Sequence, residues 1–139
     1  MKIALIDHDD SFTFNLRQWL SPLSNQIRVY NHLDLVEKKI AASELYVLSP
    51  GPKNPKDYPH TLNWLSLLAD EQKVFGVCLG MQLMFAAENE DVYPYQPPLH
   101  GKKSRLIVFN EEIKSFENTE VARYHSLSCK KKEDSVFNF

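Results

Sequence analysis

The sequence predicts an α/β protein in which helices cover both faces of a largely parallel sheet. Two observations lead to this fold class. Over the first 88 residues, short apolar runs alternate with segments of helical periodicity, which is typical of strand–helix–strand units. After Glu88 the pattern changes to two alternating segments, residues 104–109 and 121–127, which predict antiparallel strands. The predicted architecture is therefore a flavodoxin-like three-layer sandwich with antiparallel additions near the C-terminus.

The first strand and helix are predicted near the N-terminus. Residues 3–6 are continuously apolar, as expected of a strand that is buried on both faces. An acidic loop follows at residues 8–11, where Asp10 or Ser11 can accept hydrogen bonds from the first turn of a helix. The helix should end before Pro22, because proline disfavours the helical conformation in the residue that precedes it. Its predicted buried face consists of Phe12, Leu16, Trp19 and Leu20.

Three further strands are predicted, at residues 27–30, 45–48 and 74–77. A weak helical pattern at 33–40 connects the second strand to the third, and a stronger pattern at 62–69 connects the third to the fourth. Such crossovers join parallel strands, because both strands must start at the same edge of the sheet.

The loops after the first, third and fourth predicted strands should lie at one edge of this sheet. They comprise residues 7–11, residues 49–55 and the turn around Cys78. In α/β sheets of this kind, ligands bind at the carboxyl ends of the strands. The convergence of three such loops predicts a functional site.

The chain after Glu88 is predicted to be less regular. Asn89 can take the left-handed conformation that ends a helix. Residues 93–98 contain three prolines and predict a loop or the edge of a sheet. Because no internal repeat or linker is evident, residues 1–139 are predicted to form a single domain.

Composition excludes several classes of function. The chain has 16 basic and 18 acidic residues, and its net charge of −2 gives no electrostatic footprint for nucleic acid or an acidic membrane surface. No signal peptide or membrane-spanning run is evident. The two cysteines, Cys78 and Cys129, provide no disulfide framework, which favours a reducing, cytoplasmic compartment. The sequence predicts neither a metal site nor a cofactor.

The segment Gly76-Val77-Cys78-Leu79-Gly80 carries the clearest chemical signal. An apolar run ends and helical periodicity begins there, so Cys78 is predicted at an abrupt strand-to-helix turn. This is the cysteine counterpart of a nucleophile elbow, in which flanking glycines let neighbouring backbone approach closely. Backbone N–H groups at a helix N-terminus favour thiolate over thiol, so we expect a reactive sulfur. The alternative is a buried structural cysteine beside a tight turn.

Five motifs, in order along nearly the whole chain, carry a family resemblance. The chain resembles the class I glutamine amidotransferases, and within them the glutaminase component of anthranilate synthase and aminodeoxychorismate synthase. The resemblance implies a subunit that hydrolyses glutamine and supplies ammonia to a chorismate-binding synthase subunit. The motifs are Asp7-His8-Asp9-Asp10-Ser11-Phe12-Thr13-Phe14-Asn15-Leu16, Leu48-Ser49-Pro50-Gly51-Pro52, Gly76-Val77-Cys78-Leu79-Gly80-Met81-Gln82, His100-Gly101-Lys102 and Arg123-Tyr124-His125-Ser126-Leu127.

The resemblance implies roles for individual residues. Cys78 would attack the side-chain amide of glutamine and form a glutamyl thioester. The backbone N–H groups of Gly51 and Leu79 would form the oxyanion hole, and Gln82 would hold the substrate. The remaining predicted substrate-binding residues are Lys53, Ser126 and Leu127.

Several of these residues have simpler explanations when each is taken alone. Gly51 lies between two prolines, as a turn glycine does. Gln82, one helical turn after Cys78, would more often be an exposed helix residue. His100 and His125 invite a catalytic interpretation, but the resemblance makes both of them structural or site-lining.

The chain departs from the family's motifs at three places. Lys53 stands where the family usually has glycine, and Asn89-Glu90 stands where it usually has a glycine pair. The His-Pro-Glu motif that supplies the family's base and its orienting carboxylate does not occur in these 139 residues. We therefore expect either a truncated chain or a family member that has lost its chemistry. Truncation would bare a sheet edge, so that the chain either self-associates through the apolar residues 136–139 or is only marginally stable.

Two classes of function follow from these observations. The first is an active glutaminase subunit. The second is a catalytically inactive protein that binds glutamine or docks on a synthase without the catalytic His and Glu. An unrelated flavodoxin-like hydrolase would explain the elbow at Cys78 but not the motif Tyr124-His125-Ser126-Leu127.

Overall fold

Contacts group the chain into two compact units, Met1–Asn89 and Glu90–Phe139, each with a sheet of its own. The single domain predicted for the whole chain stays a prediction. The apolar ending at 136–139, with its predicted role in self-association, lies outside the described residues. The residues that the computed structural model describes are 1–36, 40–108 and 110–130.

The described part of the first unit contains parallel strands joined by helices. The strands are β1 (Lys2–Asp7), β2 (Gln26–Asn31), β3 (Leu45–Leu48) and β4 (Lys73–Gly76). The helices are α1 (Thr13–Leu20), α2 (Pro59–Ser66) and α3 (Leu79–Ala87), with 3₁₀ turns at His32–Leu35 and Pro55–Asp57. All strand pairs are parallel, in the order β2-β1-β3-β4. The predicted α/β class is confirmed.

The central strand β1 is buried on both faces, as its continuous apolar run predicts. Successive side chains of a strand point to opposite faces. On one face Ile6 packs in a cluster with Leu83 of α3, and on the other Leu5 packs in a cluster with Leu16 of α1. Helices therefore cover both faces, and the three predicted layers are present.

The predicted buried face of α1 is wrong at one position. Trp19 is 66% exposed, because Leu16 and Leu20, four residues apart, already fill the stripe that faces the sheet. The Trp19 ring instead packs edge-on against Phe12, with 5.0 Å between the ring centroids.

Two other helix predictions differ from the structure in extent. The helix predicted over 62–69 starts earlier and ends at Ser66. Of the weak pattern at 33–40, a 3₁₀ turn forms at His32–Leu35, and residues 37–39 lie outside the described ones. Asn89 has a φ of 59°, so the left-handed end predicted for the next helix is confirmed.

The second unit is built on an antiparallel pair, β5 (Asp91–Arg105) and β6 (Glu120–Lys130). The prediction of antiparallel additions is confirmed, but residues 93–98 belong to β5 rather than to a loop. Prolines are tolerated there because β5 has a neighbour on one side in this sheet, and its register shifts between Pro94 and Leu99. The strand predicted over 104–109 ends at Arg105, and Phe109 is not among the described residues.

Candidate active site

Cys78 lies at the corner between β4 and α3, where the elbow motif predicts it. Its φ of 53° and ψ of −107° are unusual for a residue with a side chain. Such a conformation costs about 1–3 kcal/mol and persists only where the surrounding structure enforces it. The turn is held by backbone hydrogen bonds from Gly80 N–H to Val77 O (2.9 Å) and from Gln82 N–H to Cys78 O (3.1 Å).

The two glycines of the elbow are required by close backbone packing. A Cβ placed on Gly76 would lie 2.6 Å from the carbonyl oxygen of Gly80, a separation that real Cβ atoms do not show. A Cβ on Gly80 would lie 2.6 Å from Leu48 Cβ and 2.8 Å from its carbonyl carbon. The first turn of α3 therefore rests directly on β3 and β4, and this contact presents Cys78 at the carboxyl edge of the sheet.

The structure brings Gly51 and Leu79, the two predicted oxyanion donors, into contact. Gly51 follows β3 by three residues, and a Cβ placed on it would collide with Leu79 Cδ2. The same atom would lie 3.0 Å from both the Cβ and the carbonyl oxygen of His8. Gly51 therefore fits between His8 and Leu79, next to the elbow. Its role as a donor stays a prediction.

The electrostatics of Cys78 differ from the sequence-based expectation. The residue is exposed, but protein atoms beside the sulfur remove part of its hydration, and this desolvation raises the pKa of the thiol. The charge of Asp10 raises the pKa further, whereas the Leu79 backbone N–H lowers it. The Leu79 N–H acts in the expected direction, but desolvation is the larger effect, so the pKa of Cys78 is raised rather than lowered. The reactivity of the sulfur stays a prediction.

Gln82 is buried in the first turns of α3, with 5% of its surface exposed. The alternative of an ordinary exposed helix residue is therefore wrong. Its backbone N–H bonds to the Cys78 carbonyl, so its position is tied to the elbow. Whether its side chain holds glutamine stays a prediction.

Lys53 is exposed on the loop after β3. The loop around it is fixed by a reciprocal cap, in which Asn54 Oδ1 accepts from Lys56 N–H at 3.1 Å and Asp57 accepts from Asn54 N–H at 3.0 Å. The predicted contact of Lys53 with substrate is neither supported nor opposed by these bonds.

Ser126 and Leu127 lie on β6, in the second unit. Leu127 is opposite Pro94, whereas Ser126 falls at the register shift and has no partner residue in the described ladder. The Leu127 carbonyl accepts a hydrogen bond from His125 Nδ1 at 2.9 Å, and His125 Nε2 accepts from Arg123 Nε at 3.0 Å. Both ring nitrogens of His125 are therefore engaged, in agreement with a structural role.

His8 is a site residue that the sequence did not predict. It belongs to the predicted acidic loop, but its side chain is completely buried beside Gly51. Burial lowers the pKa of His8 to about 4, with a further lowering by nearby His32 that Asp7 and Asp9 oppose. Its position in the sequence could have indicated a site residue, because His8 directly follows a buried strand at the edge of the sheet where the loops converge.

Neither a metal site nor a membrane-spanning helix is found within residues 1–36, 40–108 and 110–130. No group of three or more His, Cys, Asp or Glu side chains is arranged there to hold a metal ion. No helix in those ranges has both the length and the apolar character needed to cross a membrane.

Comparison with known proteins places the chain in a family. The model of the family described as glutamine amidotransferase class-I matches residues 4–139. The chain belongs to this family, and the resemblance inferred from the five motifs is confirmed.

Two curated relatives are anthranilate synthase subunits. The pyocyanine-specific anthranilate synthase component 2 of Pseudomonas aeruginosa is 38% identical over 135 residues, which cover 91% of this chain and 67% of that protein. Anthranilate synthase component 2 of Buchnera aphidicola is 34% identical over 139 residues, covering 93% of this chain and 69% of that protein.

Solved structures agree on the fold. The crystal structure of a glutamine amidotransferase from Thermotoga maritima has a TM-score of 0.68 and 15% identity, and the match covers 94% of this chain and 62% of that one.

Proposed function

We propose that this chain is a glutaminase subunit that delivers ammonia to a chorismate-aminating synthase. The observation that carries the proposal is the strained elbow at Cys78, with Gly51 and Leu79 in contact beside it. Membership of the class I family supports the reaction class, and the two anthranilate synthase relatives support anthranilate as the product. Free Cys78 and Cys129 agree with a reducing, cytoplasmic setting.

The proposed reaction has two steps. Cys78 Sγ adds to the side-chain amide carbon of glutamine, and the tetrahedral intermediate loses ammonia to leave a glutamyl thioester. Water then cleaves the thioester, giving glutamate and restoring the thiol. The sum is glutamine plus water to glutamate plus ammonia.

Two backbone donors would stabilise the tetrahedral oxyanion. In this proposal the N–H groups of Gly51 and Leu79 supply them, since the two residues pack against each other next to Cys78. Losing one such donor commonly raises the barrier by about 3–4 kcal/mol. The buried Gln82, tied to the Cys78 carbonyl, is proposed to hold the substrate, together with Lys53, Ser126 and Leu127.

The raised pKa of Cys78 favours a second candidate function. Because desolvation disfavours the thiolate, attack by Cys78 depends on a group that accepts the proton of the sulfur. Without such a group the same site would bind glutamine, or dock on a synthase, without hydrolysis.

A nitrogen-donor experiment separates the two candidates. The chain is combined with an anthranilate synthase component 1, and anthranilate is followed by fluorescence with either glutamine or ammonium as the donor. For the glutaminase we expect glutamine-dependent synthesis that Cys78→Ser lowers by about 1,000-fold or more, while ammonium-dependent synthesis is unchanged.

The matched control is Cys129→Ser, which should keep glutamine-dependent synthesis. Glutamine binding by calorimetry without glutamate release would favour the second candidate. If the chain neither binds nor hydrolyses glutamine and also does not bind component 1, both candidate functions are overturned.

A further inference from the structure

His8 is enclosed on every side beside the Gly51 loop. Its ring stacks on His32, with 5.7 Å between centroids, and meets the Tyr58 ring edge-on at 5.2 Å. The Tyr58 hydroxyl donates a hydrogen bond to the His8 carbonyl oxygen at 3.2 Å. A ring packed in this way cannot shift without displacing its neighbours.

The hydrogen bonds of Ser49 determine which ring nitrogen of His8 carries the proton. The Ser49 hydroxyl donates its proton to the Pro50 carbonyl oxygen at 2.7 Å and accepts from the His8 backbone N–H at 2.9 Å. The Ser49 hydroxyl has no second proton to donate. In the contact of 3.4 Å between His8 Nδ1 and Ser49 Oγ, the proton is therefore on Nδ1, which donates. Nε2 then accepts from the Thr61 hydroxyl at 3.2 Å. His8 is a neutral ring held at both nitrogens.

This network ends on the peptide group of a predicted oxyanion donor. The Pro50 carbonyl and the Gly51 N–H belong to one planar peptide group, so fixing the oxygen also fixes the direction of the N–H. His8 also restricts the position of Gly51 sterically, since a Cβ on Gly51 would lie 3.0 Å from His8 Cβ. The buried His8 ring thus helps to fix both the orientation and the position of the Pro50–Gly51 peptide group.

We propose that His8 is a positioning residue, which acts through the Ser49 hydroxyl to aim the Gly51 N–H at the substrate oxyanion. The catalytic consequence rests on the proposed function, whereas the effect on the Gly51 peptide can be measured without turnover.

Selective labelling makes the structural part testable. The chain has four glycines, so labelling glycine alone with ¹⁵N gives four amide signals, one of them from Gly51. In His8→Phe, which keeps an aromatic ring and loses both nitrogens, the Gly51 signal should shift and its order parameter should fall from about 0.85 to below about 0.6. Ser49→Ala should have the same effect with His8 in place, and it decides the question if His8→Phe does not fold. An unchanged Gly51 signal in the folded variants overturns the proposal.

Two further variants separate positioning from bulk packing. In His8→Asn, the side-chain amide N–H can take the place of the Nδ1–H toward Ser49, so the Gly51 signal should return close to that of the natural chain. His60→Asn changes an exposed histidine next to Thr61 on α2 and should leave the Gly51 signal unmoved.

Kinetics of glutamine hydrolysis test the catalytic part. His8→Phe should lower kcat by about 10- to 100-fold with KM changed by less than about threefold, because misplacing one donor weakens transition-state binding. His8→Asn should restore kcat to within about threefold. Equal losses in both variants, or a loss confined to KM, overturn the positioning role. If the natural chain hydrolyses no glutamine, the proposed function fails, and the Gly51 signal still decides the role of His8.

Discussion

The two units of the chain differ in how closely their backbones pack. In Met1–Asn89, apolar side chains are buried on both faces of the sheet, and helix α3 rests on the strands without intervening side chains. In the second unit, Val108 is buried, and most of the positions of β5 and β6 whose burial is described are partly or fully exposed. The strained conformation of Cys78 occurs in the closely packed unit, because only dense surroundings can enforce it.

Two glycines provide the sharpest test of this difference. Gly80→Ala places a methyl group against the main chain of Leu48, whereas a Cβ on Gly101 would meet nothing within 4 Å and only the positive φ of 66° opposes it. We expect Gly80→Ala to lower the free energy of unfolding by more than about 3 kcal/mol and Gly101→Ala by about 1 kcal/mol. Urea unfolding followed by circular dichroism measures both. Equal effects would show that the units do not differ in packing.

A pH series tests the burial of His8, which is fully buried in the first unit. Its pKa is about 4 in the folded chain and 6.5 for an unperturbed histidine. Below pH 6.5, His8 is therefore protonated in the unfolded state but stays neutral in the folded state. The free energy of unfolding falls as the pH drops toward 4. Between pH 7.5 and 5 this group should account for a loss of about 2 kcal/mol.

The control for the pH series is His8→Asn, which has no proton to bind in this range. Between pH 7.5 and 5, the free energy of unfolding of this variant should fall by about 2 kcal/mol less than that of the natural chain. Parallel pH profiles for the two proteins would contradict the burial of a neutral His8.

The smallest expected effect lies in the second unit. Lys103 and Glu120 form an ion pair of 2.7 Å across β5 and β6, with side chains 72% and 57% exposed. Lys103→Gln should weaken protection of the β5–β6 amides from hydrogen exchange by less than about 0.5 kcal/mol, and the difference should vanish in 1 M salt. A loss above about 1.5 kcal/mol would show that this strand pair depends on the contact far more than an exposed pair should.

The difference between the units also explains what could be predicted from the sequence. In the first unit, burial on both sides gives continuous apolar strands such as residues 3–6, and the tight turn requires Gly76 and Gly80. Both signals are local, so the buried strands and the elbow could be predicted from the sequence. The prolines of residues 93–98 predicted a loop or sheet edge, whereas a strand forms there. Within the described residues β5 pairs with β6 alone, and a strand paired on one side tolerates prolines, which lack an N–H group.

The electrostatics of the site depended on contacts that no local pattern contains. The helix N-terminus is visible in the sequence, but the desolvation of Cys78 and the charge of Asp10 come from segments that meet only in the fold. The same is true of His8, whose partners Ser49 and Thr61 are 41 and 53 residues away.

The reactivity of Cys78 is the most direct test of the central claim, which is that the elbow presents a nucleophile for glutamine. The chain is treated with 6-diazo-5-oxo-L-norleucine, a glutamine-like electrophile, and with iodoacetamide, and labelling of Cys78 and Cys129 is measured by peptide mass spectrometry. Burial raises the pKa of Cys129 to about 11, and that residue lies on a regular strand. We expect the glutamine-like reagent to label Cys78 selectively, free glutamine to protect it, and iodoacetamide to discriminate less. Preferential labelling of Cys129, or labelling of Cys78 that glutamine does not slow, would contradict the account.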